Sequence, residues 1–186
     1  MDMRVTIAAR RSVKRFTERQ VTREEIDRLL EAAVLAPNHR MTEPWRFYVM
    51  GPQSRRGYGA LLGGRKAKRV DDAAAAEAVK NKVEAEHVAL PAVIAVAIRQ
   101  DDNPEIREED YAAAMMAIQN ISLIAVTLGL GTHIKTGAIM DDPAARQAVG
   151  VDDGERIIAL INVGEPAELP PAKPRTDARD LTVWVP

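Results

Sequence analysis

Three groups of residues in this chain have the types and spacing to do chemistry. The first is Arg10-Arg11-Ser12-Val13-Lys14-Arg15-Phe16, four cations within six positions. Cations packed this closely repel one another, which leaves two readings. One is a solvated basic face. The other is a phosphate site, where guanidinium forks, an ammonium and the Ser12 hydroxyl meet the oxygens of a dianion. The second group is Ala36 to Phe47, in which Asn38, His39 and Trp45 sit among two prolines with no apolar periodicity. Pro37 cannot donate a backbone hydrogen bond and stops the helix ahead of it, and Pro44 disfavours helical geometry at Glu43 and sets it extended. A stiff polar loop between two elements is a common place to hold a ligand; it is equally a plain helix-to-strand connection whose Asn38 and His39 satisfy nearby backbone groups. The third group is Lys173 and Arg175, on a tail (166–186) with five prolines.

Composition narrows the classes of chemistry. At 186 residues the chain has the length of one domain, 1–186, able to bury a full core. A net charge of -1 gives no global attraction to nucleic acid or to a membrane surface, so neither is an expected partner. There is no cysteine, and His39, His87 and His133 lack ligand spacing, so no metal site is expected. The basic start has no apolar stretch of the signal-peptide kind, and the apolar run Val88 to Ile98 is too short to span a bilayer. The cytoplasm is the expected compartment.

Elements must position these groups. Residues from Asp2 to about Arg10 suit a short helix. Thr22-Arg23-Glu24-Glu25 is a capping box, followed by Ile26, Leu29, Leu30, Ala33 and Val34 at helical spacing. Arg46 to Met50 reads as a strand, and Ser54 to Leu62 as a short helix. Gly63-Gly64 and the basic run Arg65 to Arg69 then make a loop. Ala-rich Asp72 to Glu86 is a helix carrying Asn81 and Lys82 near its end. Ala92 to Ile98, almost unbroken apolar, fits a central strand covered on both faces. Tyr111 to Leu128 is a helix apolar nearly all round, with Gln119 and Asn120 the exceptions, which suggests burial between two subunits as well as inside one. Thr132 to Gly137 reads as a strand running into a turn. Asp142, Pro143 and Gly150 frame a short helix, and Arg156 to Val163 is a strand. The tail ends in Leu181-Thr182-Val183-Trp184-Val185, strand formers that must pair with something; an arm extended across a partner subunit satisfies both its prolines and this cluster.

The expected fold is α+β, a mostly antiparallel sheet of about five strands flanked by helices. No Walker loop, G-x-G-x-x-G, G-x-S-x-G or H-E-x-x-H occurs. Taken in order, several pieces resemble the flavin-dependent nitroreductase family, in its small subgroup. They are Arg10-Arg11-Ser12 with Lys14 and Phe16, Ala36-Pro37-Asn38 through Pro44-Trp45-Arg46-Phe47, Gln119-Asn120, Gly129-Leu130-Gly131-Thr132, Gly164-Glu165-Pro166 and Lys173-Pro174-Arg175. The resemblance spans nearly the whole chain.

The resemblance implies a homodimer with the C-terminal arm exchanged and FMN held at each end of the interface. Arg10, Ser12, Lys173 and Arg175 would hold the FMN phosphate, with Arg11 and Lys14 along the ribityl and pyrimidine side. Ile134, Lys135, Thr136 and Gly137 would face the ring near N5, and Asn38 and His39 would come from the partner chain. Lys82 is a weaker candidate for positive charge near N1 and C2=O. Glu43 stands where many members have Gln and is left out of the site. The implied activity is an FMN-dependent NADH or NADPH oxidoreductase that passes two electrons to a nitroaromatic or quinone, with no catalytic side chain and no metal. Two other readings stay open. One is a specialised enzyme on this fold, a dehalogenase or flavin-fragmenting enzyme, whose mark would be a lid in Ser54 to Glu86. The other is a flavin-binding protein without turnover.

Overall fold

The computed structural model of the protein describes residues 2–186. Its four strands, β1 (Trp45–Val49), β2 (Ala92–Arg99), β3 (Gly131–Lys135) and β4 (Glu155–Gly164), form one wholly antiparallel sheet in the order β1-β2-β4-β3. Six α-helices surround it among the described residues: α1 (Met3–Ala9), α2 (Arg23–Ala33), α3 (Pro52–Ala67), α4 (Ala73–Val88), α5 (Pro104–Thr127) and α6 (Pro143–Val149). One face of the sheet packs Ile94, Val96 and Ile161 against Leu29 of α2 and Ile118 and Ile121 of α5. The other packs Val93, Ala95 and Leu160 against Tyr58 of α3, Ala145 of α6 and Ile139 of the 3-10 turn Ala138–Asp141. Covered on both faces, β2 is buried from Ala92 to Ile98, as its unbroken apolar run requires.

Local chemistry sets several boundaries. At the start of α2 the Thr22 side chain accepts from the Glu25 N–H and the Glu25 side chain from the Thr22 N–H, a reciprocal cap that satisfies two orphan donors. Asp72 and Asp142 cap α4 and α6 with one side-chain bond each, and α6 ends at Gly150 in the left-handed region.

Four expectations need correction. The sheet has four strands, not about five, because the tail cluster Leu181 to Val185 pairs with nothing among the described residues. A 3-10 turn, Ala178–Leu181, leads into the cluster, and Trp184 is 91% exposed. Helix α3 runs straight through Gly63-Gly64 to Ala67, so Arg65 and Lys66 are helical. Gly63 has its reason in packing: a Cβ there would lie 2.9 Å from the Lys80 backbone of α4, so the close approach of the two helices demands a glycine, whereas a Cβ on Gly64 would meet nothing. Helix α5 begins at Pro104 rather than Tyr111, capped by the Asn103 side chain. Glu43 is not extended; its φ is +44°, with its N–H donated to Asn38 Oδ1 at 2.8 Å. No helix among the described residues is long and apolar enough to cross a membrane.

Candidate functional site

The segment that follows α1 is laid across the ends of two strands. Val13 donates its N–H to the Thr132 carbonyl at 2.9 Å, Ser12 bridges Thr132 in parallel, and Phe16 bridges Pro166. Two glycines make the room. A Cβ on Gly131 would stand 2.5 Å from Val13 Cγ2, and one on Gly164 would stand 2.9 Å from Phe16 Cδ1. The Glu165 carboxylate then ties the segment down, accepting from the Thr17 hydroxyl at 2.7 Å and facing Arg19 at 3.7 Å. Ala167 donates to the Arg15 carbonyl at 3.1 Å, so the start of the tail is steered back along the same segment.

The result is a cleft of about 780 Å³ walled by α1 and residues 10–15 on one side and by the tail on the other. Six cations line it, Arg10, Arg11, Lys14, Arg15, Lys173 and Arg175, against one carboxylate, Glu168. Two are engaged. Arg11 donates Nη1 to the Ala8 carbonyl at 2.6 Å and to that of its neighbour Arg10 at 2.9 Å, closing the end of α1, and Arg15 lies 3.6 Å from Glu168. Among the described residues the side chains of Arg10, Ser12, Lys14, Lys173 and Arg175 make no hydrogen bond or ion pair. Four unpaired cations and a free hydroxyl facing one cavity are the donor set that a phosphate dianion takes up. The cleft volume lies in the range of small-molecule sites, and the residues present therefore fit a phosphorylated cofactor such as FMN.

The remaining predicted residues lie in three places. Ile134, Lys135, Thr136 and Gly137 finish β3 and its turn, on the same edge strand that Ser12 bridges. From Thr132 to Thr136 extended chain covers about 13 Å, so the turn lies a short-cofactor length from the basic cleft. Burial pushes the Lys135 ammonium below its ordinary pKa, with Lys66 adding to the effect and Glu86 opposing it. His133 is lowered by burial first, then by Lys135 and Lys14. Asn38 is spent inside its own loop: its side chain bonds Thr42 at 3.1 Å and the Glu43 N–H, and the Thr42 hydroxyl donates to buried Asp110. His39 is exposed at the loop tip and does not line the cleft of its own chain. Lys82 lies exposed on α4 and does not line the cleft either.

Sequence reasoning misses Glu168 and the Pro170-Pro171 wall, and it names Arg15 in the basic cluster and Gln119 in α5 without giving either a cofactor contact. Gln119 has a signal, being an exposed polar interruption of an apolar helix; its neighbour Asn120 is structural, donating to the Ala32 carbonyl at 3.0 Å. Glu168 and the prolines have none, because only tertiary contact brings the tail back.

This fold, with its basic cleft between the first helix and the tail, defines a class that sequence comparison identifies. Residues 7–165 match the profile of the nitroreductase family. The chain belongs to that family. It is 36% identical over 183 residues to a candidate NAD(P)H nitroreductase of Bacillus subtilis (strain 168), YfhC, covering 96% of this chain and 91% of the relative. A nitroreductase-like family protein from Bacillus cereus superposes with a TM-score of 0.86 at 27% identity, covering 100% and 96% of the two chains. A nitroreductase homologue from Desulfovibrio desulfuricans, solved in complex with FMN, superposes with a TM-score of 0.74 at 25% identity over 99% and 96%.

Proposed function

We propose that the protein is an FMN-dependent NAD(P)H oxidoreductase that reduces nitroaromatics or quinones in the cytoplasm. The whole chain, 1–186, acts as one FMN-binding unit, whose tail, 166–186, lies across a second copy. The observation that carries the reading is the convergence of Arg10, Ser12, Lys14, Lys173 and Arg175, from opposite ends of the chain, on one cleft without partners of their own. Family membership and the FMN complex of the Desulfovibrio relative support it.

When bound, FMN supplies the redox chemistry, taking two electrons from NADH or NADPH and giving them to the acceptor. The chain's own residues bind and orient. Arg10, Ser12, Lys173 and Arg175 grip the phosphate and so fix the cofactor lengthwise. Lys14, close enough to His133 to lower its pKa, holds positive charge between the phosphate end and the β3 turn. The turn Ile134 to Gly137 presents backbone and the half-buried Lys135 toward the ring, and positive charge preorganised there favours taking up electrons. Exposed apolar side chains on α1 (Met3, Val5, Ile7), after α2 (Val34, Leu35) and in the tail (Val183, Trp184) support the homodimer. In it, His39 at its loop tip reaches the other copy's site, while Asn38 holds that loop in shape.

The test is direct. Purified protein should be yellow, release FMN rather than FAD on denaturation, and bleach at once under anaerobic NADPH or NADH. Initial rates over a panel of nitro and quinone acceptors should give parallel double-reciprocal lines, the pattern of two substrates using one site in turn. A colourless protein indifferent to added FMN overturns the reading. Bound FMN that no nicotinamide reduces would make the protein a flavin carrier.

A further inference from the structure

The α3 terminus carries a second cationic cluster that the cleft above does not absorb. Arg65, Lys66, Lys68 and Arg69 are all exposed, and among the described residues none forms an ion pair. Some surface arginines elsewhere are paired: Arg40, for instance, holds Glu109 at 2.9 Å and Glu105 at 3.3 Å. Asp71, two residues past Arg69, pairs with none of the four among the described residues, and the next acids along cap helices. Asp72 accepts from the Ala75 N–H at 2.7 Å to cap α4, and Asp142, on the rim of the cluster's own cleft, accepts from the Ala144 N–H at 3.0 Å to cap α6.

The bland account is that cations at a helix C-terminus answer the helix dipole. That dipole amounts to about half a charge and acts within the last turn. Arg65 and Lys66 sit in that turn, but Lys68 is at the cap and Arg69 lies beyond it. The excess charge faces an open cleft of about 470 Å³. Its position is informative. Arg65 donates Nη1 to the Ala138 carbonyl at 3.3 Å, one residue past Gly137, and the Lys66 charge reaches both Lys135 and His87. The cluster therefore borders the β3 turn from outside, at the end away from the phosphate cations of residues 10–15.

We propose that Arg65, Lys66, Lys68 and Arg69 form a docking site for the 2′-phosphate of NADPH, which makes NADPH the preferred electron donor over NADH. The inference rests on the oxidoreductase reading, in which a nicotinamide must approach the β3 turn. NADPH and NADH differ only in that a phosphate dianion replaces a ribose hydroxyl. A cleft lined by four cations against one carboxylate, Asp142, rewards the dianion, and open geometry suits a group at the far end of an extended molecule. Specificity here is a difference of affinities, and the cluster supplies it by charge alone.

Calorimetric titration of the holoenzyme with 2′,5′-ADP and 5′-AMP isolates the phosphate, since neither molecule carries nicotinamide. The wild type should bind 2′,5′-ADP at least about tenfold more tightly, the scale of one charge-assisted contact, and less so at high salt. In Lys66→Gln/Arg69→Gln and, separately, Arg65→Gln/Lys68→Gln, that ratio should collapse toward one. KM for NADPH should rise about tenfold while KM for NADH and kcat with NADH hold. All four side chains are exposed, and two independent pairs guard against misfolding of either variant. Equal binding of the two nucleotides by the wild type overturns the proposal, as does discrimination that survives in both variants. A rise in KM for an anionic acceptor such as 4-nitrobenzoate, with NADPH unaffected, would assign the cluster to the acceptor and overturn it too. Flavin absorbance reads the parent reading separately: protein without FMN that still discriminates loses the oxidoreductase function and keeps the phosphate site.

Discussion

Replacing Arg10 or Arg175 with Ala should weaken FMN binding by roughly ten- to a hundred-fold, and replacing Arg15 should not. All three line the same cleft, so proximity alone does not separate them. Their partners do. Arg10 and Arg175 have none among the described residues, so each is free to meet the phosphate, and a hydrogen bond to a charged group contributes about 1.5 to 3 kcal/mol. At about 1.4 kcal/mol per factor of ten, that gives the predicted loss. The Arg15 side chain is 76% exposed and lies 3.6 Å from Glu168. Its charge is already shared with Glu168, and any pairing of so exposed a cation, with a phosphate as with a carboxylate, is worth about 0 to 1 kcal/mol, so Arg15→Ala should cost less than about fivefold. Since Arg10 and Arg175 would share one phosphate, the double variant should fall short of the summed losses. The assay is fluorescence titration of apoprotein with FMN, with circular dichroism to show that each variant is folded. At saturating FMN, turnover should change little, because the phosphate end anchors and does not react. Equal losses for Arg10 and Arg15 would refute the argument from partners. Unchanged FMN affinity with abolished turnover would reverse the orientation of the cofactor.

Deleting the chain from Ala167 onward should lower both dimer content and FMN retention, since the arm carries Lys173 and Arg175; light scattering with flavin absorbance measures both, and a fully dimeric variant with undiminished FMN would make the arm a mere appendage. Acid should destabilise the protein through buried His87. His87 is 4% exposed with Nε2 lacking a partner among the described residues, and burial, then Lys135 and Lys66, push its pKa below 6.5 while its bond to the Val83 carbonyl opposes them. The unfolded chain therefore binds the proton more readily, so stability present above about pH 6.5 is lost as pH falls below that value. The melting temperature of His87→Leu should fall less steeply from pH 7.5 to 5.5 than that of the wild type, and an identical slope would remove His87 from the account.

Elements whose local signals agree with one another are legible in the sequence. Helix α2 carries its capping box and its apolar stripe in one stretch, β2 is an apolar run bounded by Pro91, and α6 is framed by Asp142, Pro143 and Gly150. Where the sequence misleads, a distant contact overrules a local preference. Gly63-Gly64 looks like a loop, but α4 lies against Gly63 at a distance only glycine allows. The first turns of α5, from Pro104, are solvated and acidic, and their apolar period begins only at Tyr111; Glu105 and Glu109 find their use in Arg40, far back in the chain. Pro44 alone predicts an extended Glu43, whereas the Asn38 side chain captures the Glu43 N–H and turns the residue to positive φ.

The candidate site divides along the same line. The residue types announce an anion site twice, at Arg10 to Lys14 and at Lys173 with Arg175, but nothing in the spacing says that the two meet. What brings them together is a set of small residues and backbone bonds whose purpose is invisible along the chain. Gly131 yields space to Val13, Gly164 yields space to Phe16, and the Phe16 bridge to Pro166 with the Ala167 bond to Arg15 turns the tail back. The segment after α1 pairs with the start of β3 and of the tail, and that pairing places the cations. Such a site is held by the rigid ends of β3 and β4 rather than by the flexible side chains that line it, so its cations can stay unpaired and wait for a ligand. That arrangement costs the free protein mutual repulsion among Arg10, Lys14, Lys173 and Arg175, which a bound dianion relieves. Bound cofactor should accordingly stabilise the fold by mass action, and most strongly in the segment from Arg10 to Phe16 and in the tail that crosses it.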